Sequence, residues 1–153
     1  MYCRHCFRKA TVGLPNYKTV KNFQRAAEYI QEHKEITNVI ISGGDPLLIN
    51  TRRIKKILEI LVDIETVNYV RIGTRTPVVY PMRFYDDELL KCFEEFNKHK
   101  ALYLPTHFNH VNEITDVAKE AVLRIRQTGV TVNNQAVLLK GVNDNAEDIE
   151  NLM

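Results

Sequence analysis

Apolar positions fall along this chain in two alternating patterns. Short continuous runs at Asn38 to Ile41, Tyr69 to Ile72, Ala101 to Leu104 and over part of Val130 to Leu139 read as buried parallel strands. Between them the apolar residues recur at helical spacing. Val20, Phe23, Ala26, Ala27 and Ile30 share one face, as do Ile54, Ile57, Leu58 and Leu61, then Leu89, Leu90, Phe93 and Phe96. A fourth face, Ile114, Val117, Ala118, Ala121, Val122 and Ile125, ends in a turn containing Arg124 and Arg126 and is followed by Gly129, which suits a helix C-terminus and its cap. A further helix is predicted to begin near Asn145.

Strand and helix alternating in this way predict an α/β fold of parallel βαβ units with right-handed crossovers. The choice lies between a barrel and an open doubly wound sheet, and the residues that follow each strand favour the barrel. Ser42-Gly43-Gly44-Asp45-Pro46 follows the first strand, Gly73-Thr74-Arg75-Thr76-Pro77 the second and Thr106-His107-Phe108-Asn109-His110 the third. Asn133-Asn134-Gln135 lies within or beside the fourth. Barrel strand ends gather around one axis, where separated segments converge on one pocket. An open sheet concentrates its ligand at one switch point instead.

Composition narrows the function classes. With 153 residues, 44% of them hydrophobic and 26% charged, the chain suits one globular domain or most of one. A net charge of +2 is too small to argue for nucleic acid or a membrane surface. No apolar run approaches the roughly 20 residues that span a bilayer, and no charged-then-apolar leader is visible within these residues, so the cytoplasm is the expected compartment. Three cysteines, two of them closely spaced, fit thiols that bind metal in a reducing compartment better than a disulfide framework.

Those two are Cys3 and Cys6, in Met1-Tyr2-Cys3-Arg4-His5-Cys6-Phe7-Arg8. A pair at this spacing reads as part of a metal or cluster site, either half of a zinc site or two corners of an iron-sulfur cluster. Cys92 lies far off in a helical stretch, so a further ligand is most economically placed before residue 1, and the chain is expected to be a fragment of a longer protein. His107 and His110 also invite a metal reading, but no carboxylate or third histidine stands at useful spacing. Arg75 and Arg83 are cations near the same face that could meet a carboxylate or phosphate, whereas Arg53, Lys55 and Lys56 look like the solvated side of a helix.

Five segments in order resemble the lysine 2,3-aminomutase family of radical S-adenosylmethionine enzymes: the cysteine motif, Ile41 to Leu48, Arg71 to Val79, Thr106 to His110 and Asn134 to Asp144. The resemblance implies a partial (β/α) TIM-like barrel of the radical S-adenosylmethionine type. Of its βα units about four are present here, so that residues 1–153 form the central part of the domain, without the first strand, the last strands and the C-terminal segment. Open strand edges would then invite association. Cys3 and Cys6 match two of three cysteines that hold a 4Fe-4S cluster, the remaining one falling four residues ahead of Cys3. The resemblance makes His5, Gly43, Gly44, Asp45, His107 and Gln135 contacts of S-adenosylmethionine, and Arg8 the partner of the substrate carboxylate.

The activity so implied is an isomerase reaction moving an amino group from C2 to C3 of an amino acid, L-lysine to β-lysine foremost, through a 5'-deoxyadenosyl radical and a pyridoxal 5'-phosphate aldimine. The aldimine lysine and the residues that select the substrate fall beyond residue 153, which leaves the isolated fragment inactive and no catalytic residue assignable. Expected partners are a small amino acid, an external electron donor such as flavodoxin or ferredoxin, and, at full length, further copies of the chain. The alternatives are a radical enzyme acting on glutamate or on a protein-bound lysine, and a non-catalytic or zinc-binding remnant.

Overall fold

The computed structural model describes residues 3–6, 8–10 and 23–152. Val20 of the first helical face, and Met1, Tyr2 and Phe7 of the cysteine motif, lie outside the described residues. The elements run α1 (Phe23–Glu32), β1 (Asn38–Ile41), α2 (Thr51–Val62), β2 (Tyr69–Ile72), α3 (Thr76–Val79), α4 (Asp87–Asn97), β3 (Ala101–Thr106), α5 (Asp116–Gln127), β4 (Thr131–Asn134) and α6 (Ala146–Glu150). Short 3-10 turns at Pro46–Leu48, Pro81–Tyr85 and Val111–Glu113 complete the connections.

The strands form one parallel sheet in chain order, β1-β2-β3-β4. The register sets Ile40 beside Arg71 and Arg71 beside Tyr103, and one residue further on Ile41 beside Ile72. Side chains alternate between faces with that register. Val70, Ile72, Leu102 and Leu104 are buried in one core with Ile54, Leu58 and Leu61 of α2 and Leu89, Phe93 and Phe96 of α4. The opposite face carries Ile40, 53% exposed, with Tyr69, Arg71 and Tyr103 only partly covered. On that face the Tyr69 and Tyr103 rings meet edge to face at 5.6 Å, and Arg71 donates to Asn38 Oδ1 at 2.8 Å. The core residues of α2 and α4 thus pack on one face of the sheet, as in a barrel wall; a doubly wound sheet would bury both faces under helices.

Local chemistry explains where the helices start. Asn50, Asp86, Thr115 and Asn145 each accept a hydrogen bond from a first-turn amide, of Arg53, Leu89, Ala118 and Asp148 respectively. Strands β1 and β2 run as the apolar pattern predicts. Strand β3 continues two residues further, through Pro105, whose carbonyl accepts from Thr74 N at 3.1 Å although its nitrogen has nothing to donate. Strand β4 covers only Thr131–Asn134 of the longer apolar run, because beyond Gln135 the amides of Val137 and Leu139 bond to side chains instead of a ladder.

Two joints hold the helices to the sheet. Arg83 reaches the carbonyls of Leu47 (2.8 Å) and Ile49 (3.2 Å), the Thr51 hydroxyl (2.9 Å) and the Asp86 carboxylate (2.6 Å), fastening the start of α2 to the start of α4. Asn97, at the end of α4, donates to the Gly129 carbonyl and accepts from Leu102 N, each at 2.9 Å, so the entries to β3 and β4 share one side chain.

Each joint yields a prediction. Gly129 has φ +82°, and a Cβ there would stand 2.9 Å from Asn97 Nδ2. Gly129→Ala should therefore lose at least the ~1–2 kcal/mol that left-handed backbone costs an L-residue, read as a lower urea midpoint. For Asp86, burial alone would raise the carboxyl, but the Thr51 hydroxyl, the Arg83 guanidinium and the Leu89 amide outweigh it and hold the carboxyl below its ordinary value. A carboxyl depressed in the fold stabilises above its unfolded value and loses that contribution as pH falls through the folded one. Asp86→Ala should cost on the order of 2 kcal/mol at pH 7, through the lost cap and the Arg83 contact. The gap to the parent protein should narrow in melts at acidic pH.

Candidate functional site at the strand ends

The carboxyl ends of the four strands are joined by polar contacts passed from each loop to the next. After β1 the chain turns through Gly43 and Gly44, whose φ of +105° and +60° few side chains tolerate. Asp45 follows and is buried, 7% exposed. Its Oδ1 accepts from Leu47 N (3.1 Å) and the Thr74 hydroxyl (2.7 Å), and its Oδ2 from Arg75 N (2.6 Å). One carboxylate therefore caps its own turn and binds the loop after β2 to the loop after β1. The resemblance expects Asp45 to contact S-adenosylmethionine; in the structure both its carboxylate oxygens are engaged within the chain.

Arg75 carries the linkage onward. Its Nε donates to the His107 carbonyl at 3.2 Å and its Nη2 pairs with Glu113 Oε1, while Glu113 Oε2 accepts from Asn109 N at 2.7 Å. The expected meeting with a carboxylate thus occurs within the chain. Arg83 likewise meets Asp86, while Arg53, Lys55 and Lys56 lie exposed as expected, Arg53 over the Phe23 ring at 5.3 Å. Beyond Glu113, the His107 ring meets the Gln135 carbonyl through Nδ1 at 2.6 Å, and Asn134 accepts from Phe108 N and donates to Phe108 O. His107 and Gln135, singled out separately from sequence, are brought together.

The cysteine turn sits over this edge. Cys6 N donates to Cys3 O at 3.0 Å, closing a tight turn in which both thiols are free and half-buried. Arg8 Nη1 donates to Ser42 Oγ at 3.0 Å and lies 3.6 Å from where a Cβ on Gly43 would stand. His5 is held below the ordinary histidine value, first by burial, then by Arg75 and His107, with Glu113 opposing. Charges from the loops after β2 and β3 thus act on a ring from the cysteine turn.

A family model, the Radical SAM superfamily, matches residues 1–153. The chain belongs to this superfamily. A relative from Aquifex aeolicus (strain VF5) is 45% identical over 148 residues, 96% of this chain and 39% of its own length. The glutamate 2,3-aminomutase of Clostridioides difficile (strain 630) is 42% identical over 94% of this chain and 33% of its own length. The L-lysine 2,3-aminomutase of Escherichia coli (strain K12) is 37% identical over 98% of this chain and 43% of its own length. This chain thus spans about two fifths or less of the curated relatives it matches.

Radical SAM membership implies a 4Fe-4S cluster and S-adenosylmethionine. Cys3 and Cys6 have the donor chemistry and the adjacency for two cluster corners, and the described residues contain no group of three or more metal-binding side chains. Pyridoxal phosphate finds no such fit. Among the described residues Lys9, Lys34, Lys55, Lys56, Lys91, Lys98, Lys119 and Lys140 are exposed, and Lys100 is tied to the Ile64 carbonyl. No step through that cofactor is assigned to these residues. No helix among the described residues is long and apolar enough to cross a membrane.

Sequence reasoning passed over Glu113, Asn109, Asn134 and Asn143, which hold the loops together. A signal was present in the asparagines after β3 and around β4, since such residues offer a backbone its missing partners. The third cysteine stands apart. Burial first, then Glu59 and Glu88, push the Cys92 thiol up to about 11. At pH 8 its thiolate is then about a thousandth of the total. Brief iodoacetamide treatment of the metal-free protein should alkylate Cys3 and Cys6 and spare Cys92, as mapped by peptide mass. Equal labelling of all three would contradict the burial of Cys92.

Proposed function

We propose that this chain forms the cofactor-binding centre of a radical S-adenosylmethionine 2,3-aminomutase whose substrate is L-lysine. The observation that carries the reading is the convergence of the Cys3-Cys6 turn, the Ser42-Gly43-Gly44 turn and the His107–Gln135 pair on one edge of a parallel sheet. Relatives named as 2,3-aminomutases across almost the whole chain support it.

In this reading Cys3 and Cys6 hold two corners of the cluster. The glycine turn gives S-adenosylmethionine's amino group close backbone approach, with carbonyls and the fixed Asp45 carboxylate as acceptors. His5 lies against the adenine, and His107 and Gln135 take the ribose. Arg8, steadied at Ser42, takes the substrate carboxylate in the planar geometry that suits guanidinium. Bound there, the cluster and S-adenosylmethionine supply a radical able to remove hydrogen from an unactivated carbon. Pyridoxal 5'-phosphate is assigned to residues other than those described. A flavodoxin- or ferredoxin-like donor, self-association and a cytoplasmic setting complete the proposal.

Glutamate is the second reading, raised by the 42% identity to the glutamate enzyme, which lies within the 37–45% range of the relatives named for lysine.

The test is anaerobic reconstitution of the full-length protein with iron and sulfide, then incubation with S-adenosylmethionine, pyridoxal phosphate, dithionite and labelled L-lysine or L-glutamate. The expected product is β-lysine, formed in excess of any S-adenosylmethionine consumed because an isomerisation returns the hydrogen it removes, with Cys3→Ala or Cys6→Ala lowering its yield at least ~100-fold, since each removes a ligand of the cluster that supplies the electron. β-Glutamate alone would select the second reading. Iron loading with neither amino acid rearranged would overturn both.

A further inference from the structure

The loops after β3 and β4 run beside each other beyond the end of the sheet, and asparagine side chains take the place of the ladder between them. Ladder pairing ends with Thr106 opposite Asn134, and Gln135 N still donates to Thr106 O at 2.8 Å. From there the Asn134 amide pairs with both backbone groups of Phe108. Asn109 Oδ1 accepts from Val137 N at 2.8 Å, and Asn143, wholly buried, donates to the carbonyls of Asn109 (2.8 Å) and Val137 (2.9 Å) while accepting from Leu139 N (2.7 Å). Asn143 reaches this place because Val142 N and Asn143 N both bond to Leu139 O, folding the chain back on itself.

The outcome at His107 is chemical. The Gln135 carbonyl can only accept, so the Nδ1 that meets it at 2.6 Å carries the proton, and in the neutral ring Nε2 is left as the acceptor. That contact lasts only while the two loops keep their spacing, and Asn109 and Asn143 keep it, from buried positions where an unmade hydrogen bond is costly.

We infer that Asn109 and Asn143 are positioning residues which, by clasping these loops, fix His107 as an Nδ1–H donor to the protein and an Nε2 acceptor toward a ligand hydroxyl. The ligand half rests on the proposed assignment of His107 and Gln135 to a ribose; the tautomer half rests on the hydrogen bonds alone. An acceptor nitrogen selects a nucleoside with its hydroxyl intact, so a 2',3'-O-methylated nucleoside should bind more weakly than adenosine.

The test is performed on the full-length protein, labelled with nitrogen-15 histidine for NMR, with adenosine as the probe. His107 should show the Nδ1–H tautomer, and Asn143→Ala should convert it to the Nε2–H form while the roughly tenfold preference for adenosine over the 2',3'-O-methylated nucleoside, the worth of one hydrogen bond, is lost, because Nε2–H can donate to either oxygen. Ile125→Val, a core truncation on α5, should leave the tautomer and the affinity unchanged. An Nδ1–H tautomer that survives Asn143→Ala overturns the inference. Should that variant not fold, amide exchange in the parent protein decides. The Val137 and Leu139 amides should exchange about 100-fold more slowly than those of exposed Leu138 and Lys140, and equal rates would overturn the clasp. Failure of adenosine to bind the parent protein would overturn the nucleoside assignment alone, with the tautomer still deciding the inference.

Discussion

A parallel sheet leaves backbone groups without ladder partners at the carboxyl end of each strand, and in this chain the answer to that deficit organises everything near the site. Buried amides and carbonyls must find acceptors and donors. Here the neighbouring loop supplies them, in order: Asp45 for the amide of Arg75, Arg75 for the carbonyl of His107, Glu113 for the amide of Asn109, and Asn134, Asn109 and Asn143 for the segment from Phe108 to Leu139. The same need that makes strand ends good binding edges makes them costly to build, and these polar side chains meet both demands.

This divides the polar residues of the site into two groups. Asp45, Arg75, Glu113 and the asparagines are engaged with one another and hold the edge in shape. Cys3, Cys6 and the glycine turn present thiols and backbone on top of that frame. A charged residue at a strand end is therefore not by that fact a ligand. Asp45 stands where the resemblance expects a binding carboxylate, and its hydrogen bonds are those of a structural one.

Much of the fold was legible because its signal is local. Each strand run and each long helical face reflects burial against one core, and residues such as Val70, Leu104, Phe93 and Ile125 had to be inside wherever the chain went. The short elements were not legible. Thr76–Val79 and the turn at Pro81–Tyr85 exist because Thr74, Arg83 and Asp86 bond across 29 to 36 residues of sequence, which no periodicity records. Likewise the apolar run from Val130 to Leu139 is a strand over only part of its length, as expected, but where it stops was not legible, because Asn109 and Asn143 claim the amides of Val137 and Leu139. For the site, motif spacing singled out residues that the fold brings to one edge; the residues that hold that edge together act through contacts that only the folded chain makes.

The uncovered face of the sheet has a consequence of its own. Arg71 lies there over the Tyr69 ring and in register with Tyr103, with its Nε buried and lacking a hydrogen-bond partner. A guanidinium and two phenols cannot be sealed under hydrocarbon without leaving donors unmet. Beside the exposed Ile40, this face therefore keeps water within reach of its charged and phenolic groups, and any segment that covered it would have to bring hydrogen-bond acceptors with it.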